Sequence, residues 1–141
     1  MRKNRTVILA VILAVSAFLT AACGTETETR KEVQDFLDEE GQPDFEALQE
    51  VNPEAYAWIT ITDTNISFPV LQSATDTAWY LNHNLYGEED DNGCIYTELY
   101  NHTDFNDPNT IIYGLNTDAM FGRLHQFADR DFFYEHIQIQ I

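Results

Sequence analysis

A cysteine thiol and a histidine imidazole can together break a peptide bond, and this 141-residue chain has two cysteines and four histidines. A cysteine attacks as the thiolate, so it needs a neighbouring base or cation that lowers its thiol pKa. Cys94 lies in the run Gly93–Tyr96 at the start of an apolar stretch, with no such neighbour in sequence. The sequence therefore predicts that Cys94 is a buried, small apolar residue and not a nucleophile.

The four histidines are spread over the second half of the chain, and none adjoins a cysteine. A histidine that acts as a general acid must reach the leaving group by a hydrogen bond. His83 lies in a mixed polar and apolar block, and His102 lies in a polar loop. His125 falls on an aromatic-rich helix, and His136 precedes the last strand. These surroundings favour structural roles for all four.

An acidic loop, residues 88–93, resembles a calcium-binding loop. Counted from its first glutamate, Asp90, Asn92 and Gly93 fall at the third, fifth and sixth positions of that motif. The first position is not aspartate, however, and the closing glutamate, Glu98, comes one place early. We therefore favour a solvated acidic turn, and we expect neither a metal nor any other cofactor.

The N-terminus reads as an export signal over residues 1–22. A basic start precedes the 13-residue apolar run Val7–Leu19, and small residues then lead to Cys23. This junction resembles the lipobox of bacterial lipoproteins, in which the cysteine sulfur receives a diacylglycerol. We predict that Cys23 is lipidated and that residues 23–30 form the anchor and a polar spacer. The alternative is an ordinary secretory signal with a chance cysteine.

The charge of the exported chain is strongly negative. Removal of residues 1–22 leaves four basic and 24 acidic residues, a net charge of −20 with histidine neutral. A surface this acidic repels phosphate groups, so nucleic acid is excluded as a partner.

Two short helices are predicted before the first strand. Thr29–Glu32 matches a capping box, and a helical apolar stripe follows it as far as Glu40. Phe45–Val51 forms a second apolar face. It ends before Pro53, because a residue that precedes proline avoids the helical region.

The strands are predicted where the apolar period changes to two. Trp58–Thr62 and Ile66–Val70 flank turn residues and form an antiparallel pair. Further strands are predicted at Cys94–Leu99 and Thr110–Tyr113, and Ile137–Ile141 alternates as a strand with one buried face. Natural sheets protect such an uncharged edge. We therefore expect either a second chain that completes the sheet or a sequence that is part of a longer domain.

Two further segments are predicted to pack apolar side chains onto the sheet. Met120–Phe133 has the spacing of one helix. Thr75–Tyr86 reads as a helical turn and a loop whose large apolar side chains face inward. These side chains are Trp79, Tyr80, Leu81 and Leu85.

Five ordered blocks between residues 45 and 133 resemble the first half of class B sortases. The blocks are Asn52–Ile59 with Thr64–Val70, Tyr80–Asn84, Gly93–Tyr96, Asn109–Asn116 with Met120–Gly122, and Asp131–Phe133. The resemblance implies a β-barrel preceded by helices, and an enzyme that cuts a sorting signal and joins a surface protein to the cell wall. We expect a mainly β fold with helices (α+β), as an incomplete sortase-like barrel over residues 31–141.

One position departs from the family pattern. The family carries a catalytic histidine between the glycine and asparagine of the block Asn109–Asn116, and here that residue is Leu115. The family's cysteine nucleophile and arginine would follow later than Ile141, the last residue written. Because the reaction needs a thiolate, an imidazole and a cation at the oxyanion, we expect a class B sortase-like cell-surface protein with no catalytic residue in this sequence.

Two alternatives remain. The protein is a non-catalytic lipoprotein whose sortase-like sheet binds a peptide or a partner, or it is an active sortase whose remaining half is supplied elsewhere. The expected partners are a sorting-signal peptide, a second chain that completes the sheet, and the membrane through a lipid at Cys23. The expected location is the outer face of the cell membrane of a Gram-positive bacterium.

Overall fold

The computed structural model describes residues 30–136 and 138–141. The predicted signal 1–22, Cys23 and the spacer up to Thr29 lie outside the described residues. No helix within the described ranges is long and apolar enough to cross a membrane. The elements in chain order are a 3₁₀ turn Val33–Phe36, α1 Phe45–Val51, β1 Ala55–Thr60, β2 Ser67–Leu71, a 3₁₀ turn Trp79–Leu81, β3 Ile95–Thr97, β4 Ile112–Tyr113, a 3₁₀ segment Phe121–Ala128 and α2 Arg130–Glu135.

The first predicted helix is a single 3₁₀ turn, Val33–Phe36, which is shorter than expected. The N-cap of this turn is Glu32, which forms a capping box with Asp35: the Asp35 carboxylate accepts the N–H of Glu32 at 2.8 Å. The predicted cap Thr29 lies outside the described residues. The helix does not continue because the Asp38 carboxylate accepts two backbone N–H groups of the following turn, at 3.0 and 2.7 Å. Such local side-chain bonds compete with a helix.

The second predicted helix is confirmed as α1, with the predicted bounds. Its N-cap is Asp44, whose carboxylate accepts the N–H of the third helical residue at 3.0 Å. The helix ends at Asn52, which is extended because proline follows it. Leu48 is fully buried and holds the helix against the sheet.

The four strands form one sheet in the order β1-β2-β3-β4. The predicted antiparallel pair is confirmed: β1 pairs with β2, and the N–H of Ile61 donates to the carbonyl of Ile66 at 2.9 Å across the turn. In that turn Asp63 has a positive φ of 58°. Strand β2 pairs with β3 in parallel, and β3 pairs with β4 antiparallel. Strands β3 and β4 are shorter than the predicted Cys94–Leu99 and Thr110–Tyr113.

Apolar side chains pack on both faces of this sheet, so the described residues form the α+β fold that was predicted. The first core cluster joins β1, β2 and β3 to the N-terminal helical elements through Phe36 and Leu48. The second core cluster alternates with it along the strands and therefore lies on the opposite face. The 3₁₀ segment Phe121–Ala128 packs against the second cluster through its own apolar side chains.

The prediction of one helix over Met120–Phe133 is wrong. The region divides into the 3₁₀ segment Phe121–Ala128 and the helix α2. Asp129 separates them, because it is extended and its carboxylate accepts the N–H groups of Asp131 and Phe132 at 3.0 Å as the N-cap of α2. The apolar spacing was identified correctly, but the role of Asp129 as an N-cap between the two pieces was not.

The predicted terminal strand is also wrong within the described residues 138–141. Only Gln140 pairs there: it accepts the N–H of Thr60 at 2.9 Å and donates its own N–H to the carbonyl of Thr60 at 3.1 Å. Ile139 and Ile141 are 51% and 54% exposed, since no other described element lies over this edge of β1. The predicted buried face is therefore absent from this segment.

The inward orientation of the Thr75–Tyr86 side chains is confirmed for two of the four. Tyr80 and Leu85 are buried, whereas Trp79 and Leu81 are 38% and 51% exposed. The reason is the 3₁₀ turn itself, because three consecutive residues at three per turn point in three directions.

Candidate functional site

The segment around Leu115 directly follows β4 and folds back into a tight turn. The carbonyl of Leu115 accepts the N–H of Phe121 at 2.9 Å. The carbonyl of Thr117 accepts the N–H of Met120 at 3.0 Å and that of Gly122 at 2.9 Å. These bonds satisfy the backbone of the turn internally and fix Leu115 next to the last residue pairs of the sheet.

Two glycines permit this turn because they allow close approach. A β-carbon on Gly114 would lie 2.8 Å from Cδ2 of the Phe121 ring. A β-carbon on Gly122 would lie 2.6 Å from the carbonyl carbon and oxygen of Thr117. Both distances are shorter than any ordinary carbon contact, so a larger residue would force the turn apart.

The Leu115 side chain is half-buried and packs against the second core cluster. Leucine is a hydrocarbon that neither donates nor accepts a proton. The turn is also held from outside, because the Asn65 carboxamide donates to the carbonyl of Asp118 and so connects it to the β1–β2 turn. Leu115 therefore has a packing role in this turn.

Cys94 lies at the entry to β3, and its backbone N–H donates to the carbonyl of Tyr80 at 2.8 Å. Burial, and secondarily the charge of Asp90, raise the pKa of the Cys94 thiol from 9.0 to about 12. Cys94 lines a cavity of about 240 Å³ whose walls include Leu85 and Ile95. A thiol with so high a pKa holds almost no thiolate near neutral pH, and this supports the predicted apolar role.

In the described part of the chain, no histidine is hydrogen-bonded to another histidine or to Cys94. Each has a local acceptor. His83 Nδ1 lies 2.8 Å from the carbonyl of Trp79, His102 Nδ1 lies 3.1 Å from Asp107 Oδ1, His125 Nδ1 is bonded to the carbonyl of Gly122, and His136 is bonded to the carbonyl of Phe132 and to Asp63.

Two carboxylates of the acidic loop 88–93, Glu88 and Asp90, are hydrogen-bonded to neighbouring residues. The Arg30 guanidinium donates two bonds of 2.7 and 2.6 Å to Glu88, and this pairing lowers the pKa of the Glu88 carboxyl. Asp90 accepts both the backbone and the side-chain N–H groups of Asn92. Glu98 accepts the hydroxyl of Tyr113 at 2.6 Å instead of closing the loop. Across the described residues, no three acidic, histidine or cysteine side chains are grouped as metal ligands.

Sequence reasoning missed a buried polar network between the start of β1 and the β2–β3 crossover. The Tyr80 hydroxyl donates to Glu54 at 2.6 Å and accepts from the Asn52 carboxamide at 2.9 Å. Burial, then the bond to Glu54, raise the Tyr80 pKa. The other Glu54 oxygen accepts the N–H of Ala74 at 2.8 Å, so one carboxylate holds both ends of the segment Ala74–Tyr80.

A cleft of about 660 Å³ opens beside the outer edge of β1. The backbone groups of Thr60 point to this edge, since they bond to Gln140 there. Backbone groups two residues apart in an antiparallel strand point to the same side, so those of Trp58 also point to this edge. The lining of the cleft includes the aromatic residues Tyr56, Trp58 and Phe105 beside polar residues such as Gln42.

No model of a protein family matches the chain. The chain is 34% identical to sortase B of Listeria monocytogenes over 89% of its own length and 58% of that protein. It superposes on a crystal structure of a Bacillus anthracis protein similar to sortase B with a TM-score of 0.63 and 37% identity, over 67% of this chain and 45% of the other.

The Staphylococcus aureus sortase B–substrate complex matches with a TM-score of 0.61 and 31% identity, over 67% of this chain and 44% of the other. The chain spans about half the length of the relatives that it matches. The sequence identity to sortase B proteins and the likeness to sortase B structures together support the assignment of this chain to the class B sortase family.

Proposed function

We propose that this chain is part of a class B sortase-like cell-surface protein that engages an extended peptide but does not perform the histidine-assisted transpeptidation of its family. The observation that carries the proposal is Leu115, a half-buried side chain that packs against the second core cluster where the resemblance places the family's histidine. Without an imidazole at this place, the leaving amine has no proton donor.

The chemistry of amide cleavage supports the same conclusion. A thiolate must attack the carbonyl carbon, the tetrahedral intermediate must collapse, and the leaving nitrogen must take up a proton. Cys94 holds its proton well above neutral pH, because its thiol is buried. In the described part of the chain, no imidazole lies within hydrogen-bonding distance of this sulfur. These residues therefore supply neither the thiolate nucleophile nor the proton donor for the leaving amine.

Peptide binding is supported by a different observation. Beyond its bridge to Gln140, the edge of β1 adjoins a cleft whose lining includes aromatic residues, and main-chain hydrogen bonds to such an edge bind extended peptides. The relative from Staphylococcus aureus has been solved as a substrate complex. The bound polypeptide is either a sorting-signal peptide or a second chain that completes the sheet.

The experiment that tests inactivity uses the purified chain, a fluorescent sorting-signal peptide and an amine acceptor. We expect neither a transpeptidation product nor an acyl-thioester adduct in the intact-protein mass spectrum. The matched control is Cys94→Ala, which should behave in the same way. Product formation or an adduct in the parent chain that is lost in Cys94→Ala would overturn the proposal.

The binding alternative has its own measurement. If the cleft beside β1 holds a peptide, titration should produce a saturable change in tryptophan fluorescence, because Trp58 lines the cleft. Trp58→Phe should abolish the spectral change, whereas Trp79→Phe on a separate surface should retain it. An identical response in both variants would exclude this cleft as the binding site.

The proposed location is the outer face of the cell membrane of a Gram-positive bacterium, with Cys23 as the anchor. The support is the sequence pattern of a basic start, a 13-residue apolar run and small residues before the cysteine. A thioether-linked diacylglycerol supplies two acyl chains, enough for stable anchoring where one chain would be marginal.

A further inference from the structure

His136 connects the end of α2 to the β1–β2 turn through both of its ring nitrogens. Nε2 lies 2.7 Å from Asp63 Oδ2, and Nδ1 lies 2.8 Å from the carbonyl of Phe132. The ring also stacks on the Phe132 ring with a centroid separation of 4.0 Å. The imidazole is therefore held on two edges and one face, and only 11% of the side chain is exposed.

The two acceptors determine the protonation state that satisfies this geometry. A carbonyl oxygen and a carboxylate only accept hydrogen bonds, so both ring nitrogens must carry a proton. A neutral imidazole carries one proton, whereas the imidazolium carries two. The hydrogen bond to Asp63, then the bond to the Phe132 carbonyl, raise the pKa of His136 above its usual value.

This contact joins parts of the fold that are 73 residues apart in sequence. Asp63 lies at the tip of the β1–β2 turn, and His136 follows the last residue of α2. Helix α2 packs on the 3₁₀ segment Phe121–Ala128, which in turn packs on the second core cluster. The pair of His136 and Asp63 thus connects the helical region 121–135 to the β1–β2 turn.

We propose that His136 and Asp63 form a proton-dependent latch, which holds the helical region 121–135 on the sheet when His136 is charged and loosens when it becomes neutral. Loss of one proton removes one of the two ring hydrogen bonds and the attraction to Asp63. The expected consequence is easier opening of this region and exposure of the apolar sheet face beneath it.

The charged groups around His136 act in the same direction. Asp63 faces it from the β1–β2 turn, and Glu135 is its neighbour on α2. Both negative charges favour the imidazolium, while desolvation opposes it. Because the folded-state pKa is raised, the stabilisation is complete below the unfolded value near 6.5 and is lost as the pH rises through the folded value.

Amide hydrogen exchange read by mass spectrometry tests the latch in the full chain. We expect peptides that cover α2 to lose protection between pH 6 and pH 9, after correction for the intrinsic exchange rate. The loss should be about tenfold for each unit by which the folded-state pKa exceeds the unfolded one. Peptides from β1 and β2 should change much less.

Two variants give the controls. His136→Gln and Asp63→Asn should each lower the protection of α2 at pH 6. His136→Gln should abolish its pH dependence and Asp63→Asn should reduce it, whereas His102→Gln in the exposed 101–109 loop should leave it intact. The pKa of the His136 ring, measured by proton NMR titration of the parent chain, should fall in Asp63→Asn. Protection that depends on pH equally in His136→Gln and the parent, or an unchanged ring pKa in Asp63→Asn, would overturn the latch.

Discussion

The ring of Phe121 lies 2.8 Å from the point at which a β-carbon on Gly114 would stand. Since the N–H of Phe121 also donates to the carbonyl of Leu115, ring and backbone together fix the turn after β4. The turn is thus built by close packing, and a catalytic group is not needed to explain its shape.

Gly114→Ala should therefore destabilise the chain, by about 1–3 kcal/mol, because the added methyl group overpacks a tight contact. Urea denaturation measures the effect. The matched control is the double variant with Phe121→Leu, in which a smaller side chain gives the methyl group space. A double-mutant cycle should show a favourable coupling between the two changes, and strict additivity would contradict the predicted contact.

Leu115 provides a second test of the same turn. Leu115→Met keeps the volume and apolar character of the half-buried side chain, so it should cost less than about 1 kcal/mol. Leu115→His places a polar ring against the second core cluster and should cost about 1–2 kcal/mol in urea denaturation at pH 8, where imidazole is neutral. If Leu115→His were as stable as the parent, the turn would be built to hold an imidazole, and the predicted packing role would be wrong.

Because the Cys94 thiol is buried, it should react slowly with alkylating reagents. The folded chain keeps the thiol pKa at about 12 against an ordinary 9.0, which implies about a thousandfold less thiolate in the folded state at neutral pH. We expect slow alkylation by iodoacetamide that becomes fast in denaturant. Rapid alkylation of the folded chain at pH 7 would contradict the assignment.

The same shift makes stability depend on pH. The unfolded thiol ionises above about pH 9 while the folded one does not, so the free energy of unfolding should fall as the pH rises from about 9 toward 12. Cys94→Ala lacks this contribution. The difference between the two alkaline stability curves isolates the thiol from the tyrosines that titrate in the same range, and parallel curves would refute the shift.

The parts of the fold that were predictable are those set by local sequence. The α1 helix follows from its apolar face and Pro53, and the β1–β2 pair follows from alternation around turn residues. The division of Met120–Phe133 was missed because the capping role of Asp129 competes with an unbroken apolar spacing. The terminal strand was missed because alternation records which side chains could be buried, and not whether another element covers them.

In the candidate site, too, only the features set by local sequence could be predicted. Leu115 was identified because a family motif is contiguous in sequence. The network of Glu54 and Tyr80 and the pair of His136 and Asp63 were not, since their members are 26 and 73 residues apart. No local pattern marks such pairs. For the network of Glu54 and Tyr80, the sequence offered one signal: the block Tyr80–Asn84 includes Tyr80, but it does not indicate the partner.

Anchoring by Cys23 is a prediction from the sequence pattern alone, and it can be tested in a Gram-positive host supplied with an alkyne-tagged fatty acid. The parent chain should carry the tag and sediment with membranes, because two acyl chains anchor a protein stably. Cys23→Ser should lose the tag, and Cys94→Ala should keep it, since the Cys94 thiol is buried inside the fold. Membrane association of an untagged Cys23→Ser chain would instead indicate an uncleaved N-terminal segment, for which the 13-residue apolar run is short against the roughly 18 residues of a spanning helix.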